Sequence, residues 1–180
     1  MPAYVSMLRG INVGGGKTIK MERLRAAFEA LSFSRVRSYV QSGNIVFETT
    51  QGSPAALSKR IQERILRDFG FPVPVILKTT EEMERVVAAN PFAEEKSIQQ
   101  SKLHVTFLSH ALPRTAVTAL EGLAAGKERF CILNQEVYLY CPNGYGRTKL
   151  SNTNIEKKLS VVATTRNWKT VTALLEMTQS

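Results

Sequence analysis

The stretch RGINVGGGKTIKM, residues 9–21, places three consecutive glycines ahead of Lys17 and Thr18, just after a short apolar run. That composition is the raw material of a phosphate loop, in which main-chain N–H groups converge on one phosphate and a lysine supplies the counter-charge. The Walker spacing G-x-x-x-x-G-K-[ST] fails, however. Its first glycine would fall at position 11, which is Ile11, and Gly10 stands one residue early. The magnesium-holding carboxylate is missing too. The chain has a single aspartate, Asp68, set in the amphipathic run ERILRDFG. Nucleotide hydrolysis of the Walker type is therefore set aside.

Other chemistries fall for want of residues. Two-metal phosphoryl transfer needs clustered carboxylates, and none cluster at strand ends. Zinc needs sets of His and Cys. His104 and His110 stand six apart with no H-E-x-x-H, and Cys131 and Cys141 stand ten apart with no C-x-x-C. There is no G-x-S-x-G elbow. No metal and no cofactor are implied. Two thiols on neighbouring strands read as reduced cysteines of a cytoplasmic protein. No apolar run reaches the roughly 18 residues of a membrane span, and the N-terminus lacks the basic flank of a signal peptide.

What remains is a set of polar residues that the fold alone does not require. Arg9, Asn12 and Lys17 stand in the first loop with Gly14 and Gly15. Gln41, Ser42 and Asn44 surround a tight turn. Tyr145, Arg147 and Lys149 lie in the run NGYGRTKLSN, and Arg166, Asn167 and Lys169 at the start of the last helical pattern. Arginine, lysine and glycine-rich backbone beside a helix N-terminus suit an anion. The charge agrees. Of a net +9, residues 1–50 hold seven Lys/Arg against three acids and residues 143–180 six against two, while the middle of the chain is nearly balanced. A basic field draws phosphate-bearing partners.

The first functional expectation is thus an anion- or phosphate-binding module with loops 9–17, 41–44 and 145–169 as its surface, nucleic acid being favoured over a nucleotide. An enzyme acting on a small phosphorylated or carboxylated substrate between two halves is the alternative. Its base would come from the glutamates, the two histidines or Tyr145. A third reading is a protein-interaction module using an edge strand such as 73–79. Oligomeric state is left open.

These same segments carry a resemblance. MLRGINVGG (7–15), KMERLRAAFEALSFSRVRSYVQSGNIVF (20–47) and YGRTKLSNTNIEKKLSVVATTRNWKTVTALLEM (145–177) resemble a bacterial family known as domain of unknown function 1697. The matching positions are Arg9, Gly10, Asn12, Gly14, Gly15, Gln41, Ser42, Gly43, Asn44, Arg166, Asn167 and Trp168. Positions after Gly15 vary in that pattern, which makes Gly16-Lys17-Thr18 incidental. The resemblance implies a pair of ferredoxin-like halves and brings no activity with it.

The elements that must position these residues follow from periodicity. Residues 3–10 read as a buried strand and 20–33 as a helix with Met21, Leu24, Ala27, Phe28 and Leu31 on one face. Residues 36–49 read as a hairpin turning at Ser42-Gly43-Asn44. Residues 54–70 form a helix with Pro54 near its start and Gly70 as its stop. Residues 73–79 form a strand that Pro74 confines to an edge or to its first positions. After a linking helix over 80–92, a strand over 102–110, a helix over 112–126 and a hairpin over 128–141 nearly repeat the pattern. Two helical segments, 153–163 and 167–178, follow the loop. Thr153 with Glu156 has capping-box spacing, and Asn167 suits a helix cap. The fold class expected is α+β: two ferredoxin-like βαββαβ halves with mainly antiparallel sheets, packed together, over 1–79 and 80–180.

Overall fold

The computed structural model describes residues 1–180. The chain divides into two compact units, Met1–Arg85 with Ala173–Ser180, and Val86–Thr172.

The first unit runs β1 (Ala3–Leu8), α1 (Met21–Glu29), β2 (Ser34–Tyr39), β3 (Asn44–Glu48), α2 (Pro54–Phe69), β4 (Val75–Thr79) and the start of α3 (Thr80–Ala88). Its sheet has the order β2-β3-β1-β4 and every pair is antiparallel. The second unit runs β5 (Leu103–Leu108), α4 (Ala116–Glu121), β6 (Arg129–Leu133), β7 (Glu136–Tyr140), α5 (Asn152–Leu159), β8 (Ala163–Asn167) and the start of α6 (Trp168–Gln179). Its sheet, β6-β7-β5-β8, is antiparallel in the same sense. Each unit is therefore a ferredoxin-like βαββαβ fold followed at once by a further helix.

The local reasons are visible in α2. Ser53 is extended and its Oγ accepts from the Ala56 amide at 3.2 Å, Pro54 occupies the first turn, and Gly70 closes the helix at φ 84°. Leu57, Ile61 and Ile65 fall on one face and are buried with Phe28, Ile45 and Phe47 of α1 and β3. The sheet alternation puts Tyr4, Leu8, Ile45 and Phe47 on this helix-covered face. Val5, Met7 and Val46 point the opposite way and are also fully buried.

Three local expectations are corrected. The helix expected over 112–126 is only Ala116–Glu121, with Pro113 and Gly122 outside it. The Thr153–Glu156 capping box does not form. Ser151, held extended at ψ 160°, is the cap, and its Oγ accepts from the Asn154 amide at 3.3 Å. Thr153 already lies inside the helix, and Glu156 accepts instead from the Ala163 amide at 2.9 Å. Finally, the segment 153–163 does not stay helical. Ser160 turns left-handed at φ 53°, and 163–167 becomes β8 because its backbone pairs with β5.

Candidate functional site

In the first unit, the run after β1 and the turn between β2 and β3 are built against each other. The Leu8 amide donates to the Gly43 carbonyl at 3.0 Å. Asn12 sits at φ 56° with its amide group fully employed: Nδ2 donates to the Ile19 carbonyl at 2.9 Å and to the Gln41 carbonyl at 2.7 Å, and Oδ1 accepts from the Ile19 amide at 2.9 Å. One side chain thus closes the loop 12–19 and ties it to the hairpin. Gly43 is required for that docking. Its φ is +86°, and a Cβ there would lie 2.8 Å from Leu8 Cβ and 2.9 Å from Ile11 Cδ1.

Asn44 is buried, and its Nδ2 donates to the Tyr39 carbonyl at 3.1 Å and to Ser42 Oγ at 2.8 Å. Lys17 Nζ donates to the Pro72 carbonyl at 2.9 Å and lies 6.0 Å from the Phe71 ring centre. The Arg9 amide donates to the Pro74 carbonyl at 2.9 Å. So Arg9, Asn12, Lys17, Gln41, Ser42 and Asn44 do come together, with Asn12, Ser42 and Asn44 holding the backbone in place. What the loop leaves exposed is its tip. Gly14 and Gly15, with Gly16, all have positive φ and no atom within 4 Å of a Cβ position.

The remaining sequence candidates belong to the second unit. Arg147 and Lys149 are exposed on the loop before α5. Arg166 is buried on β8, where Nη1 donates to Thr164 Oγ1 at 2.7 Å and to the Thr165 carbonyl at 3.0 Å. Asn167 is the cap of α6, its Oδ1 accepting from the Thr170 amide at 2.8 Å.

Two groupings were not foreseen from sequence. The first covers the outer surface of α1 and α2. Arg60, Arg64 and Arg67 recur at i, i+4 and i+7, so they share a stripe of α2. Arg23 of α1 meets that stripe over a floor of Ala26 and Ala27. Together they line two hollows that share Arg64, of about 330 Å³ and about 240 Å³. The guanidinium of Arg23 lies 5.0 Å from the Phe69 ring and that of Arg60 lies 5.5 Å from Phe33, which holds both side chains in place. Asp68 takes Arg64 at 2.7 Å. Arg23 and Arg67 remain exposed. The sequence signal for it is the spacing of Arg60, Arg64 and Arg67, which runs beside the apolar face of α2.

The second grouping is a polar seam on the helix side of β5 and β8. Thr165 Oγ1 is its hub, 2.7 Å from Thr106 Oγ1, 2.7 Å from Asn152 Oδ1 and 3.1 Å from the Tyr145 hydroxyl. The His104 ring stacks on Tyr145 with centres 5.0 Å apart. Burial holds the His104 pKa below its ordinary value of 6.5. The Lys102 backbone offsets this in part. His104 is thus neutral near pH 7. Burial also raises the Cys141 thiol to about 11, so that sulfur is not a nucleophile. No three His, Cys, Asp or Glu side chains gather closely enough to hold a metal ion.

The model of the family described as protein of unknown function (DUF1697) matches residues 1–138. The chain belongs to the DUF1697 family. The match spans the docked loop and hairpin of the first unit and runs on into β7 of the second. Among solved structures, this DUF1697 chain is similar to the conserved bacterial protein SP0830 from Streptococcus pneumoniae. Sequence identity is 22%, 98% of each chain is covered and the TM-score is 0.79. That likeness is one of fold. No curated protein matches the chain.

Proposed function

We propose that this DUF1697 chain is a binding module for phosphate-bearing ligands, with nucleic acid favoured over a free nucleotide. The observation that carries this reading is the arginine groove of α1 and α2, where Arg23, Arg60, Arg64 and Arg67 outnumber Glu63 and Asp68 around two adjoining hollows. Two of the four guanidinium groups are already ordered over aromatic rings, so less side-chain entropy is lost when a phosphate arrives. The exposed Gly14–Gly16 tip and the Arg147 and Lys149 loop are further contacts in this reading.

Sheet-surface recognition of the kind used by RNA modules with this strand order is not part of it. That mode stacks bases on exposed aromatics of the central strands. Here the faces away from the paired helices bury Val5, Met7 and Val46 in one sheet and Val105, Phe107 and Tyr138 in the other. Backbone phosphates are left as the ligand group, and sequence preference should be slight.

The test is fluorescence anisotropy with mixed-sequence single strands and duplexes against free nucleotides, across a salt series. About four phosphate contacts imply a duplex affinity that falls by roughly two orders of magnitude from about 50 to 200 mM salt. No binding to any oligonucleotide at low salt would sink the proposal.

The enzyme reading keeps one observation in its favour: His104 is neutral and half-buried, stacked on Tyr145, as a general base would be. Thermal stabilisation by a small phosphorylated or carboxylated metabolite, lost in His104→Gln, would move the balance to it.

A further inference from the structure

We propose that the edge strand β6 is an interface on which a second copy of this chain docks, pairing β6 with β6 about a two-fold axis at Cys131. The hydrogen-bond directions come first. The Gln135 carbonyl accepts from the Leu108 amide at 2.8 Å, so the odd positions of β7 turn their backbone groups toward β5. Its even positions, Glu136, Tyr138 and Tyr140, turn toward β6, where they pair with Leu133, Cys131 and Arg129. By alternation, Phe130 and Ile132 point their N–H and C=O groups outward from the sheet. In an antiparallel pair centred on Cys131, Phe130 of one copy faces Ile132 of the other, and the reverse. All four outward donors and acceptors are then met. The two Cys131 residues face each other as a non-hydrogen-bonded pair, the closer of the two kinds.

The side chains and the charge favour the same occupant. β6 borders a hollow of about 530 Å³ lined in part by Pro91, Phe92, Val117 and Phe130. Leu133 at its end is 37% exposed and Val117 is 40% exposed. Beside the strand, Lys127 and Arg129 stand against Glu128 and Glu136, so the charge along this edge is balanced in a chain of net charge +9. Two identical basic chains meet without repulsion where the charge is balanced.

The equivalent edge of the first unit is closed by contrast. β2 carries a bulge between Ser34 and Arg37, with Arg35 at φ 49°. Arg35 and Arg37 also hold the C-terminal residues, donating to the Ser180 carbonyl at 2.8 Å and the Met177 carbonyl at 2.7 Å. Such devices protect an edge strand. The short apolar strand RFCIL of β6 has no bulge in its register and no proline.

Light scattering after size exclusion, from dilute to concentrated solution, tests the proposal on the full chain. The expected mass is twice 20.0 kDa at the concentrated end. Mild copper-phenanthroline oxidation should then give a cross-linked dimer that survives Cys141→Ser and is lost in Cys131→Ser. Ile132→Pro removes an outward donor that the monomer does not use, and it should give a monomer with an unchanged circular-dichroism spectrum. Phe130→Lys should do the same should the proline disturb the strand. A monomer at every concentration overturns the proposal. So does a dimer that persists in both β6 variants, or cross-linking of Cys131 without a dimer mass.

Discussion

The two units share the order of their elements and the register of their central strand pairs, and differ in what they place on that plan. Tyr4, Ser6 and Leu8 of β1 pair with Thr79, Leu77 and Val75 of β4. His104, Thr106 and Leu108 of β5 pair with Asn167, Thr165 and Ala163 of β8 in the same register. The last residue of β4 and of β8 caps the next helix in both. Thr79 Oγ1 accepts from the Glu82 amide at 3.1 Å, and Asn167 Oδ1 from the Thr170 amide at 2.8 Å. Yet Tyr4 stacks on Phe47 in an aromatic core, while His104 stacks on Tyr145 beside a hydroxyl network. The long α2 of the first unit carries the arginine stripe, and α5 is half its length. Shared main-chain contacts define the fold, and the side chains above it have been free to specialise.

That comparison breaks most sharply at Gly43. Alanine there meets both the positive φ and the Leu8 and Ile11 side chains, and should cost about 2–4 kcal/mol in denaturant unfolding. Gly14→Ala, at φ +61° in open space, should cost only the strain, about 1 kcal/mol. Equal losses would mean that the loop does not dock on the hairpin.

Next comes the pair Thr165 and Ser6. Thr165→Val removes the hub of the second unit's seam and should cost about 1–3 kcal/mol, since its partners are left unpaired. Ser6 Oγ is buried with no partner, so Ser6→Ala should be neutral or mildly stabilising. The reverse order would place the working polar network in the wrong unit.

A smaller effect discriminates the caps. Ser151→Ala should lower stability by about 1 kcal/mol and Thr153→Ala by only a few tenths.

The smallest is a pH effect. Because His104 titrates below 6.5 in the folded chain, the unfolded chain takes up its proton first as the pH falls. Stability is full above pH 6.5 and declines on acidification toward the lowered value. His104→Gln should flatten the difference between unfolding curves measured on either side of that pH. An unchanged slope would show that His104 is not desolvated.

Much of the plan was legible in the chain. α2 was readable because Pro54, the i, i+4 apolar spacing and Gly70 agree on one element. Pro74 confines the run 73–79 to an edge or to its first positions, and both hold: the strand starts at Val75, just past the proline, and β4 is the edge of the order β2-β3-β1-β4. β8 was not readable. The run ATTRN is short, mostly polar and joined to α6 with no breaker between them, so only its pairing with β5 makes it a strand. The site shows the same division. Asn12 and Asn44 stand out by type and position, but the loop closure they perform depends on carbonyls at 19, 39 and 41. The arginine groove is half legible in sequence: the spacing of Arg60, Arg64 and Arg67 shows a stripe on α2, but Arg23 meets Arg64 only once α1 packs on α2.

The central proposal, phosphate binding by that groove, is tested most directly by the salt dependence of duplex binding in matched variants. Arg67→Ala and Arg23→Ala should each lower the slope of log affinity against log salt by about one, with the fold unchanged. Arg147→Ala with Lys149→Ala measures the second unit's share in the same assay. Slopes identical to the parent chain in both Arg67→Ala and Arg23→Ala would contradict the account.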